Sequence, residues 1–292
     1  MRYFIFWLIT RGLIAVLALL PHAWVLAFGR FLGRRVFRRM ASRKQVAVDN
    51  LQMIYQEKLS PEARQRLAED NFAHLGGVLI ESLQAAGAPR RVFRLVRVEG
   101  EEHLRTALAK NKGLILFSGH VGNFILMAAA VVPFCDLKFL FRDPSQPAIS
   151  RLYRWLVGRL GIGLIADNPR HACAYHMLSH IKAGGTVGML VDQVETGGVY
   201  VDFMGKPAGS SLGAANLALR TGAPLIPFHC RRLADGSLQV LIEPELVLEQ
   251  TESKRDAVTQ AVAAMNRIIG GWVWADPEQW FWGHRRWRTW RK

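Results

Sequence analysis

The feature that most constrains this chain is a regular alternation, across its middle half, of short apolar runs with longer amphipathic stretches. Residues 113–117, 138–141, 186–191 and 224–230 are strand-length runs rich in branched and aromatic side chains. Between them, residues 124–132, 148–160, 172–183 and 212–221 have helical texture. Runs that are apolar along their whole length suit strands covered on both faces. Parallel neighbours need a crossover, which the intervening helices supply. The expected fold class is therefore α/β, with a largely parallel central sheet flanked by helices. Residues 238–244 predict a further strand and 257–270 a late helix.

The segment before the alternation has a different texture. Residues 41–86 predict helices, one of them starting at Ser60-Pro61-Glu62, where Pro at the first helical position loses no hydrogen bond. From Tyr3 to Leu20 every residue is apolar or small except Thr10 and Arg11, and Pro21 interrupts the run. Phe4, Phe6 and Trp7 suit a membrane interface. Arg30, Arg34, Arg35, Arg38, Arg39, Arg43 and Lys44 follow, and the first acidic residue is Asp49. A basic cluster after an apolar helix holds that side in the cytoplasm. Residues 1–45 are thus expected to be a membrane anchor with a basic juxtamembrane segment, and 46–292 a domain on the cytoplasmic face. Arg11 would cost ~2.5–3.5 kcal/mol in a spanning helix, so a kinked or half-embedded anchor competes with a span. The residues after Leu20 make a poor signal-peptide cleavage site.

Charge narrows the partners. Lys and Arg number 38 against 23 Asp and Glu, a formal net charge of +15. Anionic lipid headgroups, an acidic carrier protein or nucleic acid would all be attracted. Six of the nine tryptophans fall between Trp272 and Trp290, interleaved with Arg285, Arg286, Arg288, Arg291 and Lys292. Such a mixture suits a headgroup layer, a base-stacking surface or the packing of final strands. The apolar N-terminus favours the first. Cys135, Cys173 and Cys230 form no metal-ligand spacing, and neither a phosphate-binding loop, a dinucleotide fingerprint nor a zinc-hydrolase motif occurs. No cofactor and no metal are expected.

The densest chemistry is Ser118-Gly119-His120-Val121-Gly122-Asn123-Phe124, directly after one predicted strand and before a helix. Open α/β sheets bind ligands at the carboxyl ends of their strands. Gly119 and Gly122 would let the backbone approach a substrate, and helix N–H groups could meet an oxyanion. Asp192 and Gln193 end another predicted strand. Arg142, beside Asp143 and Pro144, could bind a phosphate or pair with Asp143. Gly205 and Pro207 read as turn residues.

In order, Glu102–Leu104, Ser118–Phe124, Phe141–Pro144, Leu190–Gln193, Asp202–Ala208, Ala218–Pro224 and Pro277–Trp287 resemble the lipid A late acyltransferases, a bacterial inner-membrane family. The resemblance spans almost the whole chain, and the last stretch is the most specific. It implies a glycerolipid-acyltransferase-like fold. It also implies transfer of a fatty acyl group from an acyl carrier protein thioester to a hydroxyl of a membrane glycolipid or phospholipid at the inner membrane, without nucleic acid. Carried onto this sequence, it assigns catalysis to His120, Asn123 and Arg142, with His120 as general base. It assigns substrate binding to Gly119, Gly122, Gln193, Gly205 and Arg285.

The chain departs from the family at one position. The acidic residue expected five places after the histidine is Ile125. Asp192, Glu81 and Glu195 are the candidate replacements; alternatively His120 acts unassisted, or the scaffold has altered or lost its chemistry. Two other function classes remain on the sequence: transfer of another group, such as aminoacyl, from a carrier thioester, and a non-enzymatic basic membrane- or nucleic-acid-binding protein.

Overall fold

The computed structural model describes residues 2–195, 197–249 and 253–288, with side chains from residue 6 onward. The side chain of Phe4 and residues Trp290, Arg291 and Lys292, invoked above, lie outside the described set. The chain opens with four helices, α1 (Arg2–Leu19), α2 (His22–Arg39), α3 (Ala41–Tyr55) and α4 (Pro61–Gly87). Ser60 caps α4, its hydroxyl accepting from Ala63 N at 3.2 Å. A short α5 (Pro89–Phe93) leads to β1 (Val96–Glu99), α6 (Glu101–Leu108), β2 (Leu114–Ser118) and α7 (Phe124–Val131). The alternation continues with β3 (Leu137–Phe141), α8 (Pro147–Arg159), β4 (Gly163–Ala166), α9 (Arg170–Lys182) and β5 (Thr186–Leu190). A hairpin of β6 (Val199–Phe203) and β7 (Lys206–Ser210) follows, then α10 (Gly213–Thr221), β8 (Leu225–Arg232), β9 (Leu238–Ile242) and α11 (Lys254–Ala275).

Seven strands form one sheet in the order β1-β9-β8-β2-β5-β3-β4. Every pairing is parallel except β8 with β9. The α/β class and the mostly parallel sheet read from the sequence therefore hold. β2 sits at the centre, and all five of its residues are buried, as its uninterrupted apolar run required. Sequence reading missed β1, β4 and the β6–β7 hairpin. β1 alternates half-buried with exposed residues at the sheet edge, and the polar Lys206-Pro207 opening of β7 masks its buried end.

The first two helices are part of this core. Ile14, Leu17 and Val25 lie in one buried cluster with Leu114 and Leu116 of the central strand. The break at Pro21 is held from α4, where Gln84 Nε2 donates to the carbonyls of Leu17 and Leu20 at 2.9 and 3.0 Å. α2 approaches α4 closely through Gly29, Gly33 and Gly76, where an added Cβ would strike the facing backbone. The boundary expected at residue 45 falls inside α3, and the helices before it share the packed interior. No helix among the described residues is long and apolar enough to cross a membrane. The expected anchoring helix is thus unsupported as a span.

Candidate active site

Residues 119–123 form the turn between the end of β2 and the start of α7, beside the carboxyl end of β5. His120 and Asp192 meet there. His120 Nδ1 lies 2.8 Å from Asp192 Oδ1, and the His120 backbone N–H donates to Oδ2 of the same carboxylate at 2.8 Å. The Asp192 side chain is buried and that of His120 only 20 % exposed. Burial pushes the Asp192 carboxyl up. The His120 ring, its side-chain and backbone hydrogen bonds and the Trp280 indole outweigh burial and hold it at about 2. An ionised carboxylate on Nδ1 fixes the proton there and leaves the Nε2 lone pair facing outward. Gln193 Nε2 lies 3.3 Å from that nitrogen.

Nε2 faces a cleft of about 350 Å³. Phe124, Ile125, Ala128, Phe139, Tyr153 and Val157 give it an apolar wall. Arg142, Gln193 and Glu195 contribute polar groups. Ile125 is therefore a wall residue of the cleft, and the carboxylate on His120 comes from the loop that follows β5.

A model of the bacterial lipid A biosynthesis acyltransferases matches residues 1–289. The chain belongs to that family. This acyltransferase is 29% identical over 99% of its length to the lipid A biosynthesis lauroyltransferase of Escherichia coli K12, covering 92% of that protein. It is 26% identical to the palmitoleoyltransferase of the same organism, again over 99% of this chain and 92% of the relative. A phosphatidylinositol mannoside acyltransferase of Mycobacterium tuberculosis is 29% identical over 60% of this chain and 59% of its own.

Of the three candidate carboxylates in the acyltransferase, only Asp192 is hydrogen-bonded to His120. Glu81 accepts from Arg232 Nη1 at 3.0 Å and from Asn123 Nδ2 at 2.7 Å, and lies 3.1 Å from His22 Nε2. Its carboxyl is lowered: burial opposes ionisation, but His22, Arg232 and Asn123 together prevail. Glu195 lines the cleft but pairs with Arg170 at 3.4 Å.

Several sequence expectations need correction. Asn123 is fully buried and caps α7, its Oδ1 accepting from Leu126 N at 3.1 Å, so its side chain is occupied away from the reacting face. Arg142 pairs with Asp167 at 2.6 Å and not with Asp143, whose partner is Arg154. Gly119 and Gly122 are glycines for internal reasons. A Cβ on the first would crowd Ile269 and Asp192, and one on Gly122, at φ +59°, would strike the Cys230 carbonyl. Gly205 turns the β6–β7 hairpin with φ +81° and does not line the His120 cleft. Arg285 is exposed beside Ser42 and Arg43, also outside the cleft.

Much of the described part of the tryptophan-rich end is interior packing, although Trp274 and Arg285 are exposed. Trp280, Trp282 and Trp287 are buried and pack against one another and Phe203. Arg286 is buried too, donating to Gly209 O at 2.5 Å and Ser210 Oγ at 2.7 Å. Two functional neighbours were missed. Trp280 Nε1 donates to Asp192 Oδ2, and His284 Nε2 accepts from Val194 N at 3.1 Å. Their only signal in the sequence was the motif containing them, which the expectation of a headgroup layer set aside.

Proposed function

We propose that the chain transfers a fatty acyl group from an acyl carrier protein thioester to a hydroxyl of a lipid A precursor or related membrane glycolipid. The observation that carries this reading is the His120–Asp192 pair at the mouth of an apolar-walled cleft. His120 Nε2 removes the acceptor proton as the hydroxyl oxygen attacks the thioester carbon. Asp192 keeps the ring in the right tautomer and stabilises the imidazolium that forms. The imidazolium then protonates the departing thiolate. The alternative of an unassisted His120 has no need of Asp192.

The apolar wall suits a hydrocarbon chain better than an aminoacyl group, whose ammonium would be costly to desolvate there. Arg142, exposed on the rim, would meet a phosphate of the acceptor or the acidic carrier. Membrane contact fits α1 and α2, which expose Ile9, Leu13, Val16, Leu19, Trp24 and Phe31 near Arg34 and Arg35. That composition supports an interfacial attachment; the cytoplasmic face of the inner membrane is the location that the family resemblance implies.

The test is incubation of the purified protein with lauroyl-acyl carrier protein and a lipid A precursor, followed by mass spectrometry of the lipid. Wild type should add one acyl mass, and His120→Ala and Asp192→Asn should each lose ~10²–10⁴-fold in rate. Full activity of His120→Ala would overturn the mechanism; absence of any acylated lipid with wild type would overturn the reading.

A further inference from the structure

Gln193 occupies the face of His120 on which the reaction must take place. With the Nδ1 proton held by Asp192, Nε2 bears the lone pair, so the Gln193 amide meets it at 3.3 Å as a donor. An acceptor hydroxyl has to replace that donor before His120 can take its proton. The displaced N–H then lies beside a carbon on its way to becoming tetrahedral, and the oxygen on that carbon is the acceptor nearest in chemistry and in space.

Several backbone donors near this oxygen are engaged elsewhere. The His120 amide serves Asp192, the Gly122 amide donates to Gln279 O at 2.9 Å, and Leu126 N is taken by the Asn123 cap. Arg142 is held through its Nε by Asp167, with its side chain 78 % exposed at the rim. Gln193, by contrast, touches the reactive nitrogen itself.

We propose that Gln193 is a further catalytic residue, whose side-chain amide leaves His120 Nε2 when the acceptor binds and donates to the oxyanion of the tetrahedral intermediate. This rests on the acyl-transfer reading. The acceptor oxygen forms a bond to the thioester carbon, its proton passes to His120 Nε2, and the carbonyl π pair moves onto oxygen, where Gln193 meets it. Collapse restores the carbonyl, breaks the carbon–sulfur bond and returns the proton from His120 to the thiolate. Donation in the ground state is to nitrogen and in the intermediate to a full negative charge, so the interaction is stronger where the barrier lies.

The assignment is tested with Gln193→Leu, which removes the donor at similar bulk, and Gln193→Glu, which keeps the shape but presents only acceptors at neutral pH. Transfer from lauroyl-acyl carrier protein to a lipid A precursor is followed in wild type and both variants, with thermal melts to check folding. Both variants should lose ~10²–10³-fold in kcat, the loss typical of one oxyanion donor, with KM for the lauroyl donor little changed. A residue that merely clamps the ring would behave differently, since freeing Nε2 would leave kcat unchanged or raise it. That result in either folded variant overturns the assignment while the acyltransferase reading stands. If wild type transfers nothing, or His120→Ala transfers normally, both fall together.

Discussion

The indole Nε1 of Trp280 donates to Asp192 Oδ2 at 2.7 Å, the oxygen that also accepts from the backbone of His120. Trp280 thus holds the carboxylate oxygen that the imidazole does not, and it directly follows the short helical turn Pro277–Gln279. Trp280→Phe keeps much of the packing against Phe203 and Trp282 but deletes the donor. A hydrogen bond to a buried charge contributes about 1.5–3 kcal/mol, and urea denaturation should register a loss of that order. With that donor gone, the Asp192 carboxyl should titrate higher. Its depressed value contributes stability that is complete above about pH 4 and lost as pH falls towards about 2. Acid unfolding of the variant should therefore begin at higher pH, and an unshifted acid limb would count against the role given to Trp280.

Ile125 stands where related enzymes are expected to carry an acid, and here it is 8% exposed in the cleft wall. Because Asp192 already engages Nδ1, Ile125→Glu adds a charge to an apolar surface without a vacant partner. Acyl transfer should fall, chiefly through weaker binding of the acyl donor, which steady-state kinetics would report as a raised KM. A faster variant would mean that the family arrangement can still assemble in this cleft.

His74 is buried on α4, and burial foremost, with the Arg232 and Arg30 charges, lowers it to about 4, against the opposing pull of the Gly122 backbone and Glu81. His284 is lowered to about 4 mainly by burial, with Asp192 opposing and His120, Arg286 and Arg43 assisting. A histidine depressed in the fold binds its proton more readily when unfolded. Stability is then full above about pH 6.5 and declines as pH falls towards about 4. For His74 the loss is on the order of 3 kcal/mol. Denaturation midpoints measured between pH 7 and pH 4.5 should fall, and His74→Gln should flatten that slope. Equal slopes in both proteins would show that His74 is not the titrating group.

Gly33 of α2 leaves no room for a Cβ against the Phe72 carbonyl of α4. Gly33→Ala should therefore push the helices apart and cost about 1–3 kcal/mol, in spite of the higher helix propensity of alanine. Deleting residues 1–20 should do more than weaken membrane contact. It strips Ile14 and Leu17 from the core and leaves Gln84 without its carbonyl partners. A lower melting temperature of the truncated protein in detergent is expected; an unchanged one would mean the helical hairpin is only appended to the body.

The sequence alone determined the class of fold and the place of the reacting histidine. Runs such as 113–117 and 186–191 are apolar at every position, so they can be stable only between two covering layers, and the helices between them force parallel pairing. A histidine immediately after such a run lies at the ligand-binding edge whatever the details of packing. What the sequence left open was which carboxylate meets it. Asp192 is 72 residues away, and neither periodicity nor spacing says which of three acids a sheet will bring alongside. The pairing of β2 with β5 decided that, setting Ser118 opposite Leu190 and so the loop of His120 beside Asp192. The tryptophan-rich end has the same lesson in reverse. Trp280, Trp282 and Arg286 have the composition of a lipid-facing surface, and the fold buries them because Asp192, Ser210 and the Gly209 carbonyl supply their hydrogen bonds inside. Composition records what a side chain could contact, whereas burial depends on partners that only tertiary contact brings within reach.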